Sequence, residues 1–157
     1  MENATTIKIM FVCHGNICRS PMAELLMKKE VEDRKIADKF YISSSATHTD
    51  EIGSGVYYAT EYIYKRLGID YSQKRATLLR ASDYRNYDYF IGMDEANRRN
   101  MKRIFGGDPD GKVFLFSDFT KKGEVSDPWY TRDFEKAYED IRDGINAFLE
   151  FLSKNNG

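Results

Sequence analysis

The chain has 157 residues, a formal net charge of -1 and two cysteines, and its acidic and basic residues are interspersed. This length predicts a single domain over residues 1–157, and the balanced charge argues against nucleic acid as a partner. The sequence has no run of about 20 apolar residues and no basic, signal-type N-terminus. Two cysteines are too few for a secreted disulfide framework. We therefore expect a cytoplasmic protein with no membrane contact.

Strand-like and helix-like segments alternate along the chain. A short apolar run at 7–12 suits a buried parallel strand, and a regular helical period from Phe134 to Leu152 predicts a last helix that faces the core. Between them the patterns predict strands at 40–42, 87–91 and 113–116, and helices from Pro21 onward, over 56–67 and over 96–105. Gly68 and Gly106 end the second and third helices. This order predicts an α/β fold, a single-domain three-layer sandwich with a four-stranded parallel sheet covered by helices on both faces.

The join between the first strand and the first helix has the composition of a phosphate-binding loop. Its sequence is Cys13-His14-Gly15-Asn16-Ile17-Cys18-Arg19-Ser20-Pro21. Gly15 can adopt backbone angles closed to other residues, Asn16 tolerates the left-handed region, and Pro21 favours the first turn of a helix. Because successive backbone N–H groups can then face inward at the positive end of the helix, we expect an oxyanion to bind there.

Two residues add reactive chemistry to this loop. The helix dipole, the inward amides and Arg19 all favour the thiolate of Cys13, which predicts a nucleophile. Arg19 offers a planar fork that can hold two phosphate oxygens, and Ser20 can donate its hydroxyl to the thiolate. The alternative is that Cys13 and Cys18 are small buried apolar residues, as most free cysteines are. The glycine, the arginine and the helix start favour the first interpretation.

The loop resembles the signature of the low-molecular-weight protein tyrosine phosphatases, Cys-x-Gly-Asn-x-Cys-Arg-Ser-Pro, at every fixed position. Ser44 to Gly53, Met93 to Asn97 and Asp127 to Tyr130 are similar to later landmarks of that family, in the right order, so the resemblance covers essentially the whole chain. It implies a phosphatase that hydrolyses phosphotyrosine and other aryl phosphate monoesters through a cysteinyl-phosphate. It also implies a phosphotyrosine-containing protein as substrate, phosphate and other oxyanions as inhibitors, and no cofactor or metal.

The resemblance also implies roles for residues outside the loop. Asp127 is expected to be the general acid for the leaving group, with Asp94 as the alternative, although an Asp-Pro pair is more often an ordinary turn. Trp129 and Tyr130 are expected to form one wall of the substrate slot, whereas a core position is the competing interpretation of Trp129. Asp50 lies where the family usually has an aromatic wall residue, which predicts a more open or more acidic slot on that side.

Three loop residues have further expectations. Isoleucine at position 17 favours phosphotyrosine, since relatives thought to act on phosphoarginine carry threonine there. Cys18 is expected to trap an oxidised Cys13 as a reversible disulfide, or only to pack the loop. His14 is expected to bind phosphate through its amide, with its ring at the rim.

The histidine that commonly buttresses the loop asparagine of the family is absent. We therefore expect Asn16 to lean on Ser44 and Ser20, with Gln73 or Lys74 near the place of that histidine.

Other functions would need residues that the sequence lacks. Arsenate reductases of the same fold relay oxidation through a second pair of cysteines, and Cys18 is the one cysteine here besides Cys13. A non-catalytic phosphate-binding or redox-sensing protein would not need Cys13, Arg19 and Asp127 together. His14 and His48 with two cysteines form no recognisable zinc-ligand spacing, and the Gly-x-x-x-x-Gly-Lys of a nucleotide-binding loop is missing.

Overall fold

A parallel four-stranded sheet with the order β2-β1-β3-β4 forms the centre of the computed structural model, which describes residues 5–156. The strands are β1 (Ile7–Cys13), β2 (Phe40–Ala46), β3 (Tyr89–Gly92) and β4 (Val113–Leu115). The helices are α1 (Arg19–Asp33), α2 (Glu61–Leu67), α3 (Glu95–Phe105), α4 (Phe116–Thr120), α5 (Pro128–Thr131) and α6 (Phe134–Asn156). Short 3-10 turns lie at Ala37–Lys39, Tyr58–Thr60 and Ala81–Asn86.

The side chains of β1 alternate between two hydrophobic cores. Ile9, Phe11 and Cys13 join a large cluster that contains residues of α1 and α6, whereas Met10 and Val12 join a smaller cluster with residues of α3. A strand buried on both faces is apolar without interruption, which is why the run at 7–12 lacks an alternating pattern. Helices therefore cover both faces of the sheet, and the predicted fold class is confirmed.

The long helix α6 packs against the sheet through the stripe that the sequence predicts. Ile141, Ile145 and Phe148 of this stripe are buried. Gly144 lies where α6 meets α4, and a Cβ added there would come within 2.5 Å of Cγ of Phe116. The close contact explains a glycine in a helix interior, where it costs about 1 kcal/mol relative to alanine.

Several predicted boundaries differ from the structure. The helix predicted over 56–67 is wrong in its first part, because Tyr57 is extended and donates its N–H to the carbonyl of Ile17 at 2.8 Å. The strand predicted at 113–116 ends one residue earlier, where Phe116 begins α4. The helices α4 and α5 were not predicted, since a helix of one turn has too few residues to show a period. Gly68 and Gly106 end α2 and α3 in the left-handed conformation, as expected.

The strand order puts a binding crevice at the carboxyl ends of β1 and β3. The chain leaves β1 toward β2 on one side, and β3 lies on the other side, so the strand order reverses between β1 and β3. Parallel α/β sheets bind their ligands at such a reversal. Cys13 ends β1, and Asp94 follows β3 at the same edge. Within residues 5–156, none of the helices has the length and apolar character needed to cross a bilayer.

Candidate active site

The loop between β1 and α1 surrounds the sulfur of Cys13. The Ser20 hydroxyl oxygen and the Ser20 backbone nitrogen lie 3.0 Å and 3.4 Å from Sγ. Asn16 takes the left-handed conformation, with a φ of 59°. Gly15 does not have a positive φ, and an added Cβ there would make only ordinary contacts, 3.7 Å from Cγ of Glu51. The expectation that Gly15 supplies the unusual backbone angle is therefore wrong, since Asn16 supplies it.

The side-chain amide of Asn16 gives the hydrogen bonds behind this loop a fixed direction. Its Oδ1 accepts from the backbone N–H of Thr77 at 3.0 Å, so its Nδ2 is the group that faces Ser20 and Ser44. Nδ2 donates to Oγ of Ser20 at 2.7 Å and to Oγ of Ser44 at 2.9 Å, as predicted. Because the Ser20 oxygen already accepts from Asn16, its own proton is available to donate to Sγ of Cys13.

A buried ion pair forms the far end of this network. Ser44 donates its hydroxyl to Oε1 of Glu24 at 2.6 Å, and Nζ of Lys74 lies 3.1 Å from the same oxygen. The two charged side chains are only 8% and 12% exposed. Burial alone would raise the pKa of Glu24, but Lys74, Lys28 and Ser44 outweigh burial and lower the pKa. An ionised carboxylate only accepts hydrogen bonds. The Ser44 hydroxyl must therefore donate its proton to Glu24, which leaves the Ser44 oxygen to accept from Asn16.

Arg19 is almost fully buried and connects three segments of the chain. Its Nη1 donates to Oδ2 of Asp94 and to the carbonyl of Val125, each at 2.8 Å. Its Nη2 lies 3.5 Å from Oδ2 of Asp127. Burial alone would lower the pKa of Arg19, but Cys13 and Asp94 outweigh it and raise the pKa, which keeps the guanidinium charged. The side of the guanidinium that Asp94 and Val125 leave free can bind an oxyanion.

Asp94 has a contact with Arg19 that the sequence analysis did not predict. It is the N-cap of α3, and its Oδ1 accepts from the N–H of Asn97 at 3.0 Å while Oδ2 accepts from Arg19. Both oxygens of Asp94 therefore accept short hydrogen bonds, whereas Oδ2 of Asp127 lies 3.5 Å from Arg19, which makes Asp94 the poorer candidate for a proton donor. The sequence shows the capping pattern after β3, but it does not show that Arg19 of α1 is the partner of Asp94.

Asp127 combines a structural contact with a place in the pocket. It is the N-cap of α5, with Oδ1 accepting from the N–H of Trp129 at 3.0 Å and Pro128 at the first helical position. This is the turn that an Asp-Pro pair predicts. The second oxygen, Oδ2, is the one that lies near Arg19. The turn and the proton donor are thus compatible interpretations of the same residue.

One pocket of about 560 Å³ contains nearly all of the predicted site residues. Its lining includes Cys13, His14, Gly15, Asn16, Ile17, Cys18, Arg19, Asp50, Asp127, Trp129 and Tyr130. Ser20 is absent from this lining, since it is fully buried beneath Cys13. The lining also includes Asp94, the alternative acid, and Tyr57, which no sequence pattern assigned to the site. No sequence motif marks Tyr57 as a site residue, because it reaches the pocket through the hydrogen bond from its N–H to the carbonyl of Ile17.

The two walls of the pocket differ in chemistry. Trp129 and Tyr130 are 54% and 81% exposed, which excludes a core position for Trp129, and the Tyr57 ring lies 5.4 Å from the Trp129 ring. In another part of the lining, Nε2 of His14 lies 3.0 Å from Oδ2 of Asp50. A hydrogen bond from His14 holds the pKa of Asp50 below its usual range. One wall is therefore aromatic and the other polar.

Comparison with known proteins identifies the family. The family model described as low molecular weight phosphotyrosine protein phosphatase matches residues 8–157. The chain belongs to this family. It is 37% identical over 148 residues to the low molecular weight phosphotyrosine protein phosphatase of Gallus gallus, covering 90% of this chain and 93% of that protein.

Solved structures agree with this assignment. The crystal structure of the low molecular weight protein tyrosine phosphatase SP-PTP from Streptococcus pyogenes is 39% identical, with a TM-score of 0.82 and coverage of 95% of this chain and 93% of that one. The crystal structure of YfkJ from Bacillus subtilis is 28% identical, with a TM-score of 0.94 and coverage of 99% and 100%.

Two further contacts of this phosphatase-family chain involve Lys74 and His14. Lys74, one of the two residues expected near the place of the buttressing histidine, contacts Glu24 through its Nζ and, at 3.3 Å, the carbonyl of Ser44. The ring of His14 stacks on that of His48, which lies outside the pocket lining, with centroids 3.9 Å apart. The described residues contain no group of three or more His, Cys, Asp or Glu side chains arranged to hold a metal ion.

We expect Glu24→Gln to destabilise the protein by about 3–5 kcal/mol near pH 7, because it leaves Lys74 buried without its counter-charge. The folded state lowers the pKa of Glu24 from its ordinary value of 4.5. The stabilisation is therefore present above pH 4.5 and is lost as the pH falls through the folded-state pKa. Urea unfolding at several pH values measures this difference, which should shrink on acidification.

The control for this experiment is Glu30→Gln, since Glu30 forms an exposed pair with Arg34 one turn along α1. Such a pair contributes about 0.3–0.5 kcal/mol. If Glu24→Gln lowers the free energy of unfolding by the same amount at pH 3 and pH 7, Glu24 is not ionised in the folded protein.

Proposed function

We propose that this protein is a phosphotyrosine phosphatase that hydrolyses aryl phosphate monoesters through a cysteinyl-phosphate, with Cys13 as nucleophile, Arg19 as phosphate clamp and Asp127 as general acid. One observation carries the proposal. The sulfur of Cys13 accepts hydrogen bonds from Ser20 in the pocket where Arg19 and Asp127 lie 3.5 Å apart. These three groups are the nucleophile, the cation and the proton donor that a two-step phosphoryl transfer needs.

In the first step, the sulfur of Cys13 attacks phosphorus while the bond to the leaving oxygen breaks. The backbone of the loop from His14 to Ser20 and the free side of the Arg19 guanidinium hold the other phosphate oxygens. Asp127 gives its proton to the leaving oxygen, which would otherwise depart as a phenoxide. The products of this step are the phenol, the phosphorylated sulfur and the carboxylate of Asp127.

In the second step, water attacks phosphorus and the sulfur leaves as a thiolate. Asp127, now ionised, accepts a proton from the water, which restores the acid for the next turnover. Ser20 lies 3.0 Å from the departing sulfur and stabilises its negative charge by donating a hydrogen bond. Inorganic phosphate remains in the loop, so phosphate and other oxyanions are expected to inhibit.

The walls of the pocket support a substrate with a flat phenolic group. Trp129 and Tyr130 offer an aromatic surface, and Ile17 presents an apolar side chain inside the pocket. The substrate class is therefore a phosphotyrosine-containing protein, without nucleic acid or membrane as a partner and without a cofactor. We place it in the cytoplasm, since a reactive thiolate needs a reducing compartment, and treat residues 1–157 as one phosphatase domain. The arsenate reductase mechanism is not favoured, because it needs a second cysteine pair.

Replacement of the nucleophile tests the proposal directly. Cys13→Ser should abolish turnover of para-nitrophenyl phosphate, because an alcohol is a much weaker nucleophile than a thiol at neutral pH. Binding of inorganic phosphate, measured by calorimetry, should persist and shows that the loop is folded. Residual turnover close to that of wild type would remove Cys13 from the mechanism.

Replacement of the acid separates proton donation from the turn. Asp127→Asn keeps an N-cap for Trp129 but has no proton to give. The rate of phosphoenzyme formation in single turnover should fall ~10²- to 10⁴-fold for phenyl phosphate and much less for an ester of a strongly acidic phenol. A plot of rate against leaving-group pKa should be steep for the variant and comparatively flat for wild type. Equal slowing of all esters would instead point to a folding defect.

We also propose a protective role for Cys18. Burial and the neighbouring Cys13 raise the pKa of Cys18 to about 12, so it remains a thiol. Peroxide oxidises the Cys13 thiolate to a sulfenic acid, and the Cys18 thiol then condenses with it, forming a disulfide and releasing water. Because the thiolate is the attacking form, the raised pKa makes this condensation slow.

Recovery from peroxide tests the role of Cys18. The wild-type enzyme should lose activity in peroxide and regain it with dithiothreitol, whereas Cys18→Ser should regain little. Mass spectrometry should find a disulfide in the wild type and irreversible oxidation of Cys13 in the variant. Full recovery of the variant would show that Cys18 only packs the loop.

A further inference from the structure

We propose that Arg132 is a positioning residue that holds Asp127 in the pocket by fastening helix α5 to Tyr57. The inference rests on the proposed role of Asp127 as general acid. Arg132 itself is absent from the lining of the pocket, so its effect on the reaction must pass through the residues that it contacts.

Asp127 and Arg132 bracket a single helical turn. Asp127 is the N-cap of α5, and Arg132 is the C-cap, whose N–H donates to the carbonyl of Pro128 at 2.8 Å. Arg132 has a φ of 59°, the left-handed conformation that costs a residue other than glycine about 1–2 kcal/mol. Glycine and asparagine are the usual residues at such a cap. The side chain of Arg132 must offset this cost with contacts.

Those contacts join α5 to another part of the chain. The guanidinium lies over three aromatic rings, 5.3 Å from the centroid of Phe134, 5.7 Å from that of Tyr57 and 5.8 Å from that of Trp129. Nη2 also donates to the Tyr57 hydroxyl at 3.1 Å. Tyr57 in turn donates its backbone N–H to the carbonyl of Ile17 at 2.8 Å. The contacts therefore run from the segment of the acid to the phosphate-binding loop.

Helix α5 has little else to hold it in place. One turn is too short to be stable alone, and Pro128 is its only buried residue. In the part of the chain that the structure describes, the bond from Arg132 to Tyr57 is the one side-chain hydrogen bond from residues 127–132 to a distant segment. The other polar side-chain contacts of this segment with the rest of the chain are a local bond from the N–H of Asp133 to Thr131 and the longer 3.5 Å contact of Asp127 with Arg19. Since a displacement of about 1 Å at a catalytic group can cost 10²-fold in rate, a looser α5 would weaken proton transfer.

The experiment compares Arg132→Met with wild type. Methionine keeps the length and the backbone cost but removes the charge and the hydrogen bond to Tyr57. In single turnover, phosphoenzyme formation from phenyl phosphate should slow by about ten-fold or more, while an ester of a strongly acidic phenol should slow by less than about two-fold. The rate of Arg132→Lys with phenyl phosphate should fall between those of wild type and Arg132→Met, because lysine keeps the charge and loses the planar fork.

Arg66→Met is the matched control. Arg66 also lies over two rings, those of Tyr62 and Tyr138, and its Nη1 pairs with Glu135 at 2.7 Å, but it is absent from the lining of the pocket. This variant should keep the wild-type rates for both esters. If Arg132→Met does not fold, Tyr57→Phe provides the test, because it keeps the ring and removes only the hydroxyl that accepts from Arg132. We expect this variant to slow phenyl phosphate more than the ester of an acidic phenol, by a smaller factor than Arg132→Met does.

A double variant distinguishes failure of this inference from failure of the proposed function. If Arg132 acts through Asp127, Asp127→Asn with Arg132→Met should be no slower toward phenyl phosphate than Asp127→Asn alone. If Asp127→Asn shows no dependence on the leaving group, the proposed acid is wrong. If Asp127→Asn shows that dependence but Arg132→Met slows all esters equally, or changes only KM for phosphopeptides, the positioning role is overturned in favour of a folding or a substrate-binding role.

Discussion

The burial of the Arg19 guanidinium is the constraint on which the site depends. A buried cation must be met by acceptors, and its acceptors come from the start of α3, from the carbonyl of Val125 and from Asp127. These segments are far apart in sequence, and Arg19 itself belongs to α1. The pairing of β1 with β3 brings the ends of these strands together, and the requirement to satisfy one charged side chain ties to them the segment that carries the proposed acid.

The hydrogen bonds behind the loop determine which atom donates between Ser20 and Cys13. A serine hydroxyl can donate or accept, so a hydrogen bond between Ser20 and Cys13 does not by itself favour the thiolate. The direction is set by two groups that have no such choice, the N–H of Thr77 and the ionised carboxylate of Glu24. Asn16 transmits their effect, so that Ser20 donates to the sulfur. The buried ion pair of Glu24 and Lys74 therefore also polarises a chain of hydrogen bonds that ends at the sulfur of Cys13.

The floor of the pocket is buried in the core, whereas one of its walls is an exposed helical turn. The floor belongs to the end of β1 and the first turn of α1, where Cys13, Arg19 and Ser20 are buried, whereas α5 is a single turn with exposed aromatic side chains. Contacts such as those of Arg132 and Tyr57 decide whether a wall of this kind has a defined position. Another part of the lining, with His14 stacked on His48 and bonded to Asp50, is polar and gives the slot two chemically different surfaces.

The sequence by itself determined the class of fold, the loop and the family. These follow from local information, since strand and helix periods, the glycine stops and the fixed positions between Cys13 and Pro21 all lie within short windows. It also indicated that Asn16 would contact Ser20 and Ser44. The errors arose where local patterns compete with distant contacts. Tyr57 has the sequence context of a helix but is extended because Ile17 takes its N–H, and the left-handed residue of the loop is Asn16 rather than Gly15.

Only the tertiary structure decided which residues meet. Asp94 contacts Arg19 across 75 positions of the sequence, Lys74 pairs with Glu24, and Arg132 reaches Tyr57 across another 75. No short window contains both partners of these pairs, and each partner taken alone is an ordinary charged or aromatic residue. Their contacts exist because a parallel sheet brings the carboxyl ends of its strands to one edge, and buried charges then select the partners that satisfy them.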